Sequence, residues 1–304
     1  MTVNKISIFL ILGVMALLFC QFCSTEPVID LKWKNKLMEE RKQKDQEFKT
    51  SPTSPMAGVE RFKLEKGEKS YVKGNPGKVS IVNEKEEGTK FLISDNEGQW
   101  QWEAIGEGVS CSYKGQPVEP GVNLPGKATF KVGQFTMVAY PAKDQLTLIV
   151  FDPERPQIKK FSQLLYFPAN PKFSVETTVE KFEKLEEVKM LTSRNLEKVF
   201  VKYARLKFKL DGKEYALTAF KSKSHKEEPY LFIPFSDATT GKETYGVGRF
   251  LEIDEPAAAK FVLDFNRCFN PLCNYAPVYN CPMPPLENNL EVAIEAGEKT
   301  YPHH

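Results

Sequence analysis

Histidine is scarce in this chain: 3 residues in 304, of which His303 and His304 stand at the very end. Only His225 is placed to act as a base, and inside the charged run KSKSHKEE it reads as a solvated loop residue. Histidine-dependent triads and histidine-rich metal sites therefore find no support. Charge of one sign is lacking too. Lys and Arg number 42 against 40 Asp and Glu, a formal net charge of +2, without the basic excess of a nucleic-acid binder. The sequence contains no G-x-S-x-G, P-loop, G-x-G-x-x-G or H-E-x-x-H, and Gly246-Val247-Gly248 is only a fragment of a glycine loop. No cofactor and no metal is implied.

Long apolar runs are missing except near the start, where Ile6 to Phe19 follows Lys5. That run is shorter than the ~20 residues that span a bilayer and fits the hydrophobic region of a secretory signal peptide. It ends at Leu17-Leu18-Phe19-Cys20, similar to a bacterial lipobox, although Phe19 stands where a small residue is usual. The expectation is a lipoprotein anchored through Cys20, on the periplasmic side of a bacterial envelope or at the cell surface. Cys23 is the second candidate for modification, and an uncleaved anchor or plain secretion are the alternatives. Export places the cysteines in a non-reducing compartment. Five follow Cys20, namely Cys23, Cys111, Cys268, Cys273 and Cys281. The odd number leaves at least one unpaired.

The charged stretch Glu26 to Phe48 sets Ile29, Trp33 and Leu37 on one helical face, and the run EERKQKDQE favours helix. Ser51-Pro52 and Ser54-Pro55 stop it, because a residue before proline avoids the helical region. A surface helix resting on the body is the plain reading, and a membrane- or partner-facing helix the sharper one. From Val59 to Phe151 short alternating runs (RFKLEK, KVSIVN, WQWEAI, ATFKV, LTLIVF) are punctuated by Gly, Asn and Pro, the pattern of a sandwich or barrel. Trp100 and Trp102 share one strand face, to pack a core or to stack on a flat ligand. Longer runs follow a proline-rich stretch, and Asp211-Gly212 between two of them signals a type I′ hairpin. The fold expected is all-β: an N-terminal β-sandwich or barrel, then a larger antiparallel β domain, with one N-terminal surface helix. The divisions are 1–23 signal and lipidation region, 24–58 helical entry segment, 59–151 small β domain, 152–171 linker and 172–304 motif-bearing β domain.

The final third carries the densest clusters of turn-forming and hydrogen-bonding residues: SDATTGKETYGVGRFL from Ser236, DFNRCFNPLCNY from Asp264 and CPMPPLENN from Cys281. Such clusters build rigid polar loops. With Trp33 to Pro52, FPANPKF from Phe167 and LEVAIEAGEK ending at Lys299, they resemble the family called domain of unknown function 1684. Members of that family are often exported or lipid-anchored, which agrees with the N-terminal reading. The resemblance implies a place for a site and no chemistry.

Within these runs Tyr245, Val247 and Arg249 share one strand face, as do Asp264, Asn266 and Cys268, with Arg267 opposite. An arginine fork beside a carboxylate and an amide can hold an anion bidentately, or can simply fix a loop. Asp237 and Thr240 belong to an Asx-type turn that either caps itself or lines the same cleft. Asn270, Tyr275, Asn288 and Glu298 share that ambiguity. Cys273 and Cys281 read as a disulfide worth about 2.5 kcal/mol, as free structural thiols, or as a zinc or reactive-thiolate site. Three functions remain open. One is a lipid-anchored protein binding a small polar or anionic ligand, or a partner protein, in a motif-lined cleft. Another is a hydrolase-like enzyme with Asp264 or Glu298 as base and Arg249 or Arg267 stabilising developing charge. The last is a purely structural corner.

Overall fold

The computed structural model describes residues 30–142, 144–222 and 230–302. The signal and lipidation region with Cys20 and Cys23, and all three histidines, lie outside the described residues.

Helix α1 runs Leu31–Thr50. Asp30 caps its N-terminus, accepting a hydrogen bond from the Lys32 amide, and the chain turns extended at Ser51 before Pro52. Its inward stripe is Trp33, Leu37, Arg41, Lys44 and Phe48, spaced three and four apart. Only Leu37, Arg41 and Phe48 are fully buried, so this face is half polar rather than the apolar stripe expected. Among the described residues no helix is long and apolar enough to cross a membrane.

Ten strands follow: β1 Gly58–Glu65, β2 Lys69–Asn75, β3 Lys78–Val82, β4 Thr89–Asn96, β5 Gln99–Ala104, β6 Val109–Tyr113, β7 Gln116–Pro117, β8 Ala128–Val132, β9 Phe135–Pro141 and β10 Gln145–Phe151. They form two antiparallel sheets, β1-β10-β9-β8-β6-β7 and β3-β2-β4-β5. Both contribute to one core, from Leu64 and Leu148 on the first to Val72 and Ile93 on the second, which makes this part a sandwich. Trp102 packs edge-on against Phe91 and Phe130 in that core. Trp100 donates its indole hydrogen to the Ala142 carbonyl at 2.9 Å. Both tryptophans are core residues.

The proline-rich stretch after β10 contains a short helix, α2 (Pro156–Lys160), and buries Ile158, Phe161 and Leu164. A second six-stranded antiparallel sheet follows, in the order β15-β14-β13-β12-β11-β16. Its strands are β11 Ser174–Leu191, β12 Glu197–Leu210, β13 Lys213–Ser222, β14 Tyr230–Phe235, β15 Arg249–Asp254 and β16 Lys260–Asp264. Asp211 and Gly212 join β12 to β13 with φ of 52° and 76°, the positive values that a type I′ turn requires.

Alternation gives this sheet two apolar faces. Leu206, Leu217, Ile233 and Leu251 pack with Ile294 and Ala296 of the C-terminal segment on one of them. Phe200, Phe220, Phe232 and Phe250 lie on the other, together with Val138, Ile149 and Phe151 from the outer face of the sandwich. This seam also takes in Phe48 of α1 and the 273–281 loop.

One position breaks a strand rule and is repaired. Phe220 pairs with Phe232 across β13 and β14, which sets Thr218 opposite Pro234. Proline has no N–H to give the ladder. The side-chain amide of Asn288 takes over: it donates to Thr218 O at 2.9 Å and Pro234 O at 2.7 Å, and accepts from the Thr218 amide at 2.7 Å.

Candidate functional site

The sequence-predicted polar residues gather in several networks, some sealed and some half-buried, not in one open pocket. Arg249 and Asp237 form a buried ion pair at 3.2 Å, both side chains sealed from solvent. Arg249 also donates to the carbonyls of Ile294 at 2.8 Å and of Ala296. Asp237 accepts from the Ile294 amide at 2.7 Å and from the hydroxyls of Thr239 and Thr240. The bonds to Ile294 and Ala296 tie the C-terminal segment to Arg249 at the start of β15 and to the Asp237 turn. Gly297 in that segment has φ of 73°, and a Cβ there would meet Cys268 Sγ and lie 2.6 Å from Cys268 O.

Asp264 accepts from Ser174 Oγ at 2.8 Å, from the Asn266 amide at 3.0 Å, from Trp33 Nε1 at 2.8 Å and from Arg267 Nη1. Arg267 in turn holds Glu40 of α1 at 2.9 Å. Asn266 exchanges bonds with the backbone of Asn170. Arg41 of α1 reaches the carbonyls of Phe167 and Asn266, and burial lowers its pKa. This set is the dock for the N-terminal helix.

A third set joins Glu298, 1% exposed, to Tyr275, Asn270 and Lys44. Glu298 accepts from the Tyr275 hydroxyl at 2.7 Å and the Asn270 amide at 2.8 Å, and pairs with Lys44 Nζ at 2.6 Å. Burial, then the adjacent Glu298 charge, pushes the Tyr275 phenol well above its ordinary value. Tyr166 is raised for the same two reasons in the same order. Asn288 stands apart at the Pro234 break, and Tyr245 donates to the Cys273 carbonyl at 3.3 Å.

The disulfide expected between Cys273 and Cys281 is not formed; both are buried free thiols. Their loop is closed without it. Cys281 O accepts from the Ser193 amide at 2.8 Å, the Cys281 amide donates to Ser193 Oγ at 3.1 Å, and the Cys273 amide donates to Cys281 Sγ at 3.3 Å. The two sulfurs titrate as a pair: hydrogen bonding from Cys281 draws Cys273 down to about 6, while the same contact and burial drive Cys281 up. No group of three His, Cys, Asp or Glu residues able to hold a metal ion occurs among the described residues.

The open space lies elsewhere. A cleft of about 890 Å³ separates the outer face of the sandwich from the aromatic face of the second sheet, within the ~300–1,000 Å³ of small-molecule sites. From the sandwich, Arg61, Tyr140, Thr147 and Ile149 line it. From the sheet come Lys198, Phe200, Tyr230, Phe232, Phe250 and Glu252, and from the C-terminal motif Phe269, Leu272, Tyr279 and Cys281. The ring of Phe232 stacks on Phe200 at 5.5 Å and meets Phe250 edge-on at 4.8 Å, giving a rigid apolar floor. Tyr140 at 36% and Leu272 at 41% exposure mark the rim.

Two cations face this apolar space. Arg61 donates to Thr147 Oγ1 at 3.3 Å, and Lys198, an exposed residue, to the Asn280 carbonyl at 2.8 Å. Neither has a carboxylate partner among the described residues. Burial lowers the pKa of both; Arg194 adds to this on Arg61, while on Lys198 the neighbouring Cys281 opposes it ahead of the lowering by Arg61. Glu252, on the same wall, is engaged with partners of its own. The sequence offered one signal for this site. On β10 the run LTLIVF is apolar at both parities, as a strand covered on both faces must be.

Residues 159–299 match the model of a family described as "Protein of unknown function (DUF1684)". That span leaves α1 and the sandwich outside it. An uncharacterized protein of Haloarcula marismortui, solved by solution NMR, is 37% identical over 50% of this chain and 85% of its own, with a TM-score of 0.42. No curated protein matches the chain.

Proposed function

The chain belongs, through residues 159–299, to the DUF1684 family of proteins of unknown function, and from that premise we propose that it is a lipid-anchored binding protein of the bacterial cell envelope. The ligand is a small molecule held in the cleft between sandwich and second sheet. The observation that carries this reading is the cleft itself: about 890 Å³ with an aromatic floor, one wall supplied by the motif residues Phe269 to Pro282. The lipid anchor rests on the run ending at Cys20 and on no structural observation.

The hydrolase reading has less support. Asp264 and Glu298 have their oxygens occupied by the dock and by Lys44, Tyr275 and the Asn270 backbone, so neither faces a space where a substrate could sit.

Two experiments test the proposal. Native mass spectrometry of protein taken directly from membranes should show a small-molecule adduct that disappears in Ala142→Trp. That substitution fills the rim while keeping the backbone bonds of Ala142 to Gln145 and Trp100. A cleft empty in the wild type, together with no melting shift from any compound in a broad metabolite screen, would remove the binding reading. Labelling with radioactive fatty acid should be lost in Cys20→Ala, and unchanged labelling would take Cys20 out of the account.

A further inference from the structure

We infer that the cleft selects an amphipathic anion, a medium-chain carboxylate whose apolar tail lies on the Phe200–Phe232–Phe250 floor and whose head is held by Arg61 and Lys198. This rests on the preceding proposal that the cleft is a binding site, and adds the class of ligand. The argument is one of unmet charge. The buried and half-buried carboxylates of the C-terminal networks each hold a cation at ion-pair distance: Glu298 with Lys44, Asp237 with Arg249, Asp264 with Arg267. Arg61 and Lys198 instead make one bond each to a neutral oxygen, and no carboxylate among the described residues stands at ion-pair distance from either. A guanidinium so placed keeps most of its five donors for a ligand, and an ammonium keeps two of three. Bringing an anion to them makes charge-assisted bonds where each now has a single neutral acceptor.

The floor argues for the rest of the molecule. Its aromatic rings already stack on and edge against one another. They therefore present a continuous apolar surface to a chain, rather than a slot between two rings for a flat ligand. A fully polar anion would leave that floor against water, and a neutral alkane would leave the Arg61 and Lys198 donors without an anionic acceptor. A carboxylate on an alkyl chain satisfies both.

The test uses the full-length protein in nanodiscs of neutral lipid, with protein-free nanodiscs as the blank. Binding of radiolabelled octanoate and octanol is measured by equilibrium dialysis. Octanoate should bind at least about tenfold more tightly than octanol, the effect of one charge-assisted hydrogen bond. Each added methylene, through decanoate, should tighten binding about fourfold. In R61Q/K198Q the preference for octanoate should collapse while octanol uptake persists; if that double variant melts early, R61Q and K198Q alone should each reduce the preference. Equal binding of acid and alcohol by the wild type, or a preference that survives in the variants, overturns the inference and leaves the cleft reading intact. If neither compound binds, this ligand class is wrong, and the Ala142→Trp adduct experiment decides separately whether the cleft binds anything.

Discussion

The polar networks of the C-terminal motif and the cleft beside them share the residues around Phe269 to Pro282, and they treat charge in opposite ways. Within the networks, Asp237, Asp264 and Glu298 each meet a cation and several donors. In the cleft, Arg61 and Lys198 meet neutral oxygens and no carboxylate among the described residues. The first arrangement spends its polar groups on folding, and the second leaves them available. Density of polar residues in a sequence thus marks where a chain needs help to hold irregular loops. An incompletely matched charge beside an apolar surface is the better mark of a ligand.

Substitutions should separate the two regions by size of effect. Arg249→Ala is expected to be the most damaging. It strands the buried Asp237 charge and the Ile294 and Ala296 carbonyls, at a cost of about 3–5 kcal/mol, read by denaturant unfolding. A loss under 1 kcal/mol would mean the pair is wetter than the structure describes. Gly297→Ala should cost about 2–3 kcal/mol, from its positive φ and the close approach of Cys268.

Alkaline pH probes the third network. Tyr275 and Tyr166 are held neutral by burial and Glu298, so in the fold they titrate above their ordinary value of 10.0 while in the unfolded chain they ionise near it. The unfolded state therefore binds fewer protons, and stability falls as pH rises above about 10, by about 1.4 kcal/mol per pH unit for each phenol. A shallower fall in Tyr275→Phe is the expected result. At the bottom of the scale, Arg61→Gln should leave stability within about 0.5 kcal/mol of wild type. A large loss there would make Arg61 a folding residue and erase the contrast between the two regions.

Much of the architecture could be read from residues alone. The β class, the entry helix stopped at Ser51-Pro52, the Asp211-Gly212 turn and the shared face of Trp100 and Trp102 follow from local rules, because backbone preference and side-chain period act over a few residues. The polar candidates were legible as a cluster and illegible as to purpose. Asp264 is 231 residues from Trp33 in the chain, yet 2.8 Å from it in space, and no local rule joins them. The cleft was harder still. Arg61, Tyr140, Lys198 and the aromatic face of the sheet come from segments that a reading by motif passes over, and what unites them is the docking of one sheet against another.

The amide splice at Pro234 has a consequence for how this chain can change over generations. The splice joins the side chain of Asn288 to the backbone of Thr218 and Pro234, so only the asparagine and the proline are constrained by it. While position 234 lacks an N–H, an amide must be supplied from elsewhere, so relatives that keep the proline should keep the asparagine. Relatives that replace the proline by a residue with its own N–H are freed to lose it. Covariation between those two columns, 54 residues apart in sequence, would be the mark left by a single missing hydrogen.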